Sequence, residues 1–161
     1  MNDQSERLNP RRFYLHAVSI AALFVVLLSV STGTARTAEV LPFHQNHELQ
    51  QKVAAEWGIE ILSLRSTAAN YMLDFRYRVI DAEKAKPIFD RKTKPYLVDQ
   101  ASGHKFAVPN PPKTGPLRNS NTPQVDRNYF TIFANPGKYI QPGSMVTVVI
   151  GDFRAENLVV Q

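Results

Sequence analysis

Ten consecutive residues, Tyr71 to Ile80, alternate without a slip. Tyr71, Leu73, Phe75, Tyr77 and Val79 fall on one side, and Met72, Asp74, Arg76, Arg78 and Ile80 on the other. Successive side chains of a strand point to opposite faces, so this segment reads as a strand with an aromatic face and a mostly charged one. The odd face is expected on a core and the even face in solvent. A slip of one residue would bury Asp74, Arg76 and Arg78, so the register is strongly fixed.

The chain after Gly58 repeats this β character. Ile59–Arg65 reads as a first strand. Tyr96-Leu97-Val98 and Lys105–Val108 flank the polar connection Asp99–His104, which predicts a hairpin. Tyr129–Ala134 is a further strand, and Met145–Ile150 is apolar enough to be expected at the centre of a sheet. Gly151-Asp152 marks a bulge or bend before a last strand, Phe153–Val160. Asn135-Pro136-Gly137-Lys138 and Gln141-Pro142-Gly143-Ser144 place Pro then Gly at turn centres, as type II turns prefer. Asp81–Lys94 reads as a long connection with one helical turn at Ala82–Ala85.

From Pro109 to Pro123 the chain has five prolines and no apolar period. A loop of that length is either functional or an arm laid over the surface or a partner. About seven strands with regular turn signals predict an all-β fold, an antiparallel immunoglobulin-like β-sandwich, with an open barrel as the alternative architecture. The chain has no cysteine, which excludes structural disulfides, thiolate metal sites, haem attachment through Cys and thiol catalysis.

Ahead of this domain the periodicity changes. Leu49, Val53 and Trp57 are spaced i, i+4, i+8, Asn46 suits an N-cap and Gly58 a stop, so 46–57 reads as a short amphipathic helix. Its apolar stripe is expected to cover one end of its own domain. Further upstream, Arg11-Arg12 precede the almost wholly apolar run Phe13–Val30, an N-terminal hydrophobic helix, and Ser31–Ala35 are small. That order describes a secretory signal, with Gly33-x-Ala35 as a cleavage site, and the run is also just long enough to span a bilayer. Cleaved or kept, it delivers the rest of the chain to the non-cytoplasmic side, the periplasm or the outer face of the inner membrane. The organisation expected is 1–35 signal peptide or anchor, 36–57 linker and helix, and 58–161 β-domain.

The strings Leu73–Val79 and Val148–Leu158 resemble those of exported bacterial proteins with one small β-domain, a family without an assigned activity. The resemblance covers 58–161 and implies fold class and export, but no site.

The formal charge of the chain is +5, with the excess dispersed along it. This suits an anionic membrane face or an acidic partner and is too weak for nucleic acid. His44-x-x-His47 puts two imidazoles three residues apart, a spacing that can hold one ion, and copper suits it with His104, Met72 and Met145 nearby in kind. The plainer reading, two solvated residues at a helix start, is preferred, and no cofactor is expected. No Gly-x-Ser-x-Gly turn and no phosphate-binding glycine loop is present, so no catalytic residue is assigned and an enzyme is not expected.

The face of Asp74, Arg76 and Arg78 is the most informative surface. Its arginines suit a partner's carboxylates or lipid phosphates, or cross-strand pairs with Glu156 or Asp152. Lys84, Lys86, Arg91, Lys92 and Lys94 form a basic stretch diluted by Asp81, Glu83 and Asp90, which reads as a solvated loop. The expected function is a non-enzymatic envelope module that binds another protein through Asp74, Arg76, Arg78 and the arm residues Pro111 and Pro112, as an accessory subunit of a membrane complex. The alternative is a periplasmic module for a small ligand or copper.

Overall fold

A computed structural model describes residues 46–161; the segments 1–35 and 36–45, and His44 with them, lie outside the described residues. The alternating segment forms β2 (Met72–Val79). It runs antiparallel between β1 (Ile59–Thr67) and β5 (Asn128–Ala134) in a three-stranded sheet. A second antiparallel sheet takes β4 (Lys105–Ala107), β3 (Tyr96–Asp99), β6 (Met145–Ile150) and β7 (Phe153–Val159) in that spatial order. The described residues are therefore mostly β, with seven strands in two sheets, and the apolar β6 is an interior strand.

One core joins the two sheets. Leu73, Phe75, Tyr77 and Val79 of β2 are buried against Leu97, Val148, Ile150, Phe153 and Leu158 of the second sheet. Each such side chain contributes about 1.5–3 kcal/mol when fully buried, which is what holds a cysteine-free domain together. Tyr71 departs from expectation: it precedes the strand, in the turn, and is 54% exposed. The β1–β2 turn itself holds three residues in the left-handed region, Ala68, Ala69 and Asn70. Gly151-Asp152 is the two-residue turn of the β6–β7 hairpin rather than a bulge. The left-handed Gly151 lets Ile150 pair directly with Phe153. The bulge lies further on, where Val146 and Val148 pair with Leu158 and Ala155 and the left-handed Asn157 is the odd residue out. Gly137, at φ 76 and ψ 0, fills the third position of a type II turn as its sequence requires.

Helix α1 (His47–Trp57) begins where Asn46 Oδ1 accepts the Leu49 N–H at 3.0 Å. It stops at the left-handed Gly58, and a Cβ there would lie 2.5 Å from the Asp81 carbonyl oxygen, so only glycine fits. Asp81 in turn caps α2 (Ala82–Ala85), accepting the Glu83 and Lys84 N–H groups. Val53 is buried, Leu49 and Trp57 pack on the same core, and the Trp57 ring meets Phe153 edge-on at 5.6 Å. The stripe thus covers its own domain.

Both edges of the three-stranded sheet carry partners. On β1, the Gln50 side chain bonds Ile61, and the Gln161 backbone pairs with Leu64 and Ser66. On β5, Leu117 accepts the Ile132 N–H, while Asn119 donates to Phe130 O and accepts the Phe130 N–H through Oδ1. The proline-rich arm is therefore laid along the protein's own sheet, which satisfies strand groups that would otherwise recruit another chain.

Candidate functional site

The arm, the connection over 90–95 and the end of β4 enclose a cleft of about 600 Å³. The connection turns sharply after the 3-10 turn Lys86–Phe89, because Asp90 accepts the Lys92 N–H through Oδ1 and the Thr93 N–H through its carbonyl. This places Arg91, Thr93 and Lys94 on one wall and starts β3 from Pro95, which is buried. Ala107 and Val108 leave β4 on a second wall, and Asn110, Pro116, Arg118 and Ser120 come from the arm. The walls are mostly apolar, with Pro95, Ala107, Val108 and Pro116 between the polar groups.

Arg118 organises this region. It bridges to Thr131 at the edge of β5, and its side chain turns back across the cleft wall. Nη1 donates to Thr93 O at 2.9 Å, and Nη2 donates to Ile88 O at 2.6 Å and Asp90 O at 3.4 Å. Nε reaches Asn119 O at 3.5 Å. One guanidinium thus staples the 88–93 turn to the arm. Its pKa is lowered from the ordinary arginine value by burial, against the opposing influence of Tyr77 and Asp90. An arginine remains protonated under such pressure. Among the described residues four ion pairs form, and none contains Arg118, Arg91 or Lys94. Among the described residues no carboxylate lines the cleft; the Asp90 carboxylate, in the adjoining turn, is the acidic group that acts on Arg118.

The cleft backs onto an aromatic group. Tyr77 lies 6.0 Å from the Phe89 ring and 6.1 Å from Tyr129, and Phe89 meets Tyr129 edge-on at 4.7 Å. Burial pushes the Tyr77 phenol above its ordinary range, with the charge of Arg118 as the largest opposing influence.

The residues singled out in the sequence fall elsewhere. Asp74, Arg76 and Arg78 lie on the outer face of the three-stranded sheet, already engaged in part. Arg76 Nε donates to Asp74 Oδ2 at 2.8 Å, and Arg78 binds Glu60 Oε2 across the strands at 2.6 and 3.1 Å. The cross-strand partner is Glu60, not Glu156 or Asp152, because β1 neighbours β2 and puts Glu60 opposite Arg78. Glu156 pairs instead with Arg154 of its own strand. Pro111 and Pro112 sit in a self-contained turn of the arm, where Gly115 donates to Pro111 O and Leu117 to Pro109 O. No described hydrogen bond or ion pair links them to the Asp74 face. His44 lies outside the described residues, His47 is exposed, and among the described residues no three His, Asp or Glu side chains gather around one point.

Arg118 was the residue sequence reasoning missed. Its signal was a lone arginine inside a Pro, Gly and Asn stretch, where nothing local needs a cation. No family model, curated protein or solved structure matches the chain.

Proposed function

We propose that this chain is an exported, membrane-associated, non-enzymatic binding module, an immunoglobulin-like β-sandwich whose cleft receives a small anionic ligand. The observation that carries this reading is Arg118: a half-buried cation with its guanidinium fixed by carbonyl oxygens, facing a concave, mostly apolar space beside Arg91 and Lys94. A few converging polar groups in such a space are the usual make-up of a small-molecule site. A cation held in place before binding adds little ordering cost when an anion arrives. Export rests on the segment Phe13–Val30, and N-terminal sequencing of the mature protein decides whether it is cut or kept.

The test is thermal unfolding of the full chain with a series of small anions at constant ionic strength. A midpoint raised by particular anions, and not in Lys94→Gln plus Arg91→Gln, is the expected result. If every anion behaves like chloride, the reading fails.

A second reading is favoured by a separate observation. On the outer face of the three-stranded sheet, Phe130 is 38% exposed and pairs with Arg76, and Leu62, 36% exposed, lies at the β1 bulge one residue before Arg76's other partner, Ser63. Since the edges of this sheet are occupied, a protein partner would dock on its face, with carboxylates meeting Arg76 and Arg78. Crosslinking in intact cells tests this: capture of one protein lost in Arg76→Glu supports it, and capture indifferent to that change removes the face.

A further inference from the structure

We infer that the ligand of the cleft is an amphipathic organic acid, a carboxylate head on an apolar body, seated with its head toward Arg118 and its body along Pro95, Val108 and Pro116. This rests on the anion-binding reading above and narrows it by two features of the walls.

The first is the donor count at Arg118. A guanidinium has five N–H groups. Two on Nη2 go to Ile88 O and Asp90 O, one on Nη1 goes to Thr93 O, and Nε points to Asn119 O. One Nη1 hydrogen is left over. Arg118 therefore cannot present the two parallel donors that grip an oxyanion bidentately. It offers a full positive charge and a single N–H. A small, singly charged head with two oxygens fits this: one oxygen on Arg118, the other toward the exposed ammonium of Lys94. A phosphate dianion would find at Arg118 only this single donor, with no bidentate grip.

The second feature is the balance of the remaining surface. Pro95 is buried, Val108 is half-buried, and with Pro116 and Ala107 they give the cleft an apolar lining. A volume of about 600 Å³ is that of a site for a molecule of many heavy atoms. An inorganic anion would occupy only the cationic corner and leave the apolar wall wet, gaining nothing from it. An acid with a hydrocarbon body removes that wall from water while its charge meets the corner where Arg118, Arg91 and Lys94 line the cleft.

The experiment is calorimetric titration of the full chain near pH 7 with hexanoate, its neutral counterpart hexanamide, and inorganic phosphate, at fixed ionic strength. Hexanoate is expected to bind at least about tenfold more tightly than either of the others, the size of one desolvated charge interaction or a few buried methylenes. Val108→Glu, which sets a carboxylate on the apolar wall, is expected to weaken hexanoate by about tenfold or more, and Lys94→Gln by a smaller factor. Both positions border solvent, and unchanged thermal midpoints without ligand confirm that the variants fold. Phosphate binding as tightly as hexanoate overturns the organic acid and leaves the anion-binding reading standing. Hexanamide matching hexanoate, or no binding by either anion, overturns both.

Discussion

The side-chain amide of Gln50 bonds both backbone groups of Ile61, accepting its N–H at 3.1 Å and donating to its carbonyl at 2.8 Å. A helix residue thus stands in for a missing neighbouring strand at the place where β1 bulges between Ile61 and Ser63. Gln50→Glu tests how much this matters, since a carboxylate can accept the N–H but sets an oxygen against the carbonyl. The variant is expected to lose about 1–3 kcal/mol, the cost of leaving one such group unsatisfied. Urea unfolding should show a lower midpoint with an unchanged slope, and size-exclusion should show self-association as the strand edge opens.

The β1–β2 turn predicts a gain instead of a loss. Ala68 and Ala69 sit at φ 50 and φ 52, where a Cβ is crowded against the carbonyl that follows. Glycine adopts that region freely, at some cost in unfolded-state entropy. Ala69→Gly is expected to stabilise the protein by about 0.5 kcal/mol, since residue 69 is a left-handed centre of the turn that Tyr71 N–H closes on Ala68 O. The control is Ala54→Gly inside α1, which is expected to lose about 1 kcal/mol. Equal signs for the two glycine substitutions in equilibrium unfolding would contradict the left-handed assignment of Ala69.

These two places show what the sequence could and could not convey. The strand Met72–Val79, the helix capped by Asn46 and stopped by Gly58, and the Pro-Gly turn at Gly137 all follow from local chemistry, and each lies within a residue or two of expectation. The turn Ala68-Ala69-Asn70 carries no glycine or proline, so nothing local marked its geometry. The cleft was invisible for a different reason. Arg91 and Lys94 were visible as part of a basic run, and the arm as an unusual loop, but neither says that residue 118 returns to residues 88–93. That contact spans some thirty positions and is set by the arm lying along β5, a tertiary event with no periodic signature. The charged face of β2 was legible as a face. Which acidic residue it meets was not, because pairing Arg78 with Glu60 depends on strand order.

Tyr77 predicts a pH dependence at the alkaline end. Its phenol is buried and its folded pKa lies above the ordinary value, first because of burial. Between the unfolded pKa of about 10 and the raised folded one, the folded state keeps a proton that the unfolded state has lost. Stability therefore falls as pH rises through that window, and is fully retained below it. Tyr77→Phe removes this contribution. The difference in unfolding free energy between the wild type and Tyr77→Phe should be constant from neutral pH to about pH 9 and then shift in favour of the phenylalanine variant. A difference that stays flat to the limit of the alkaline range would show that Tyr77 ionises as easily folded as unfolded.

Arg118 makes the sharpest structural prediction, because the same side chain is both staple and charge. Arg118→Met keeps an apolar stem of similar length but leaves the carbonyls of Ile88 and Thr93, 2.6 and 2.9 Å from their donors in the wild type, without partners. Each such loss costs about 1–3 kcal/mol when the group stays buried, and less where water enters the cleft, so a total of about 2–4 kcal/mol is expected. The effect should be local before it is global. The 88–93 turn is held to the arm by this residue, whereas the core beneath it is held by Phe89, Tyr77 and Tyr129. Hydrogen exchange at the Thr93 amide, bonded to Asp90 O at 3.2 Å, should accelerate strongly in the variant. The Arg76 and Phe75 amides, on the interior strand of the sheet whose β5 edge the arm covers, should follow only the change in overall stability. Uniform acceleration at all three positions would mean that the guanidinium supports the whole fold and not this turn. Protection unchanged at Thr93 would mean that the staple is dispensable, and the fixed orientation on which the cleft's charge depends would be lost with it.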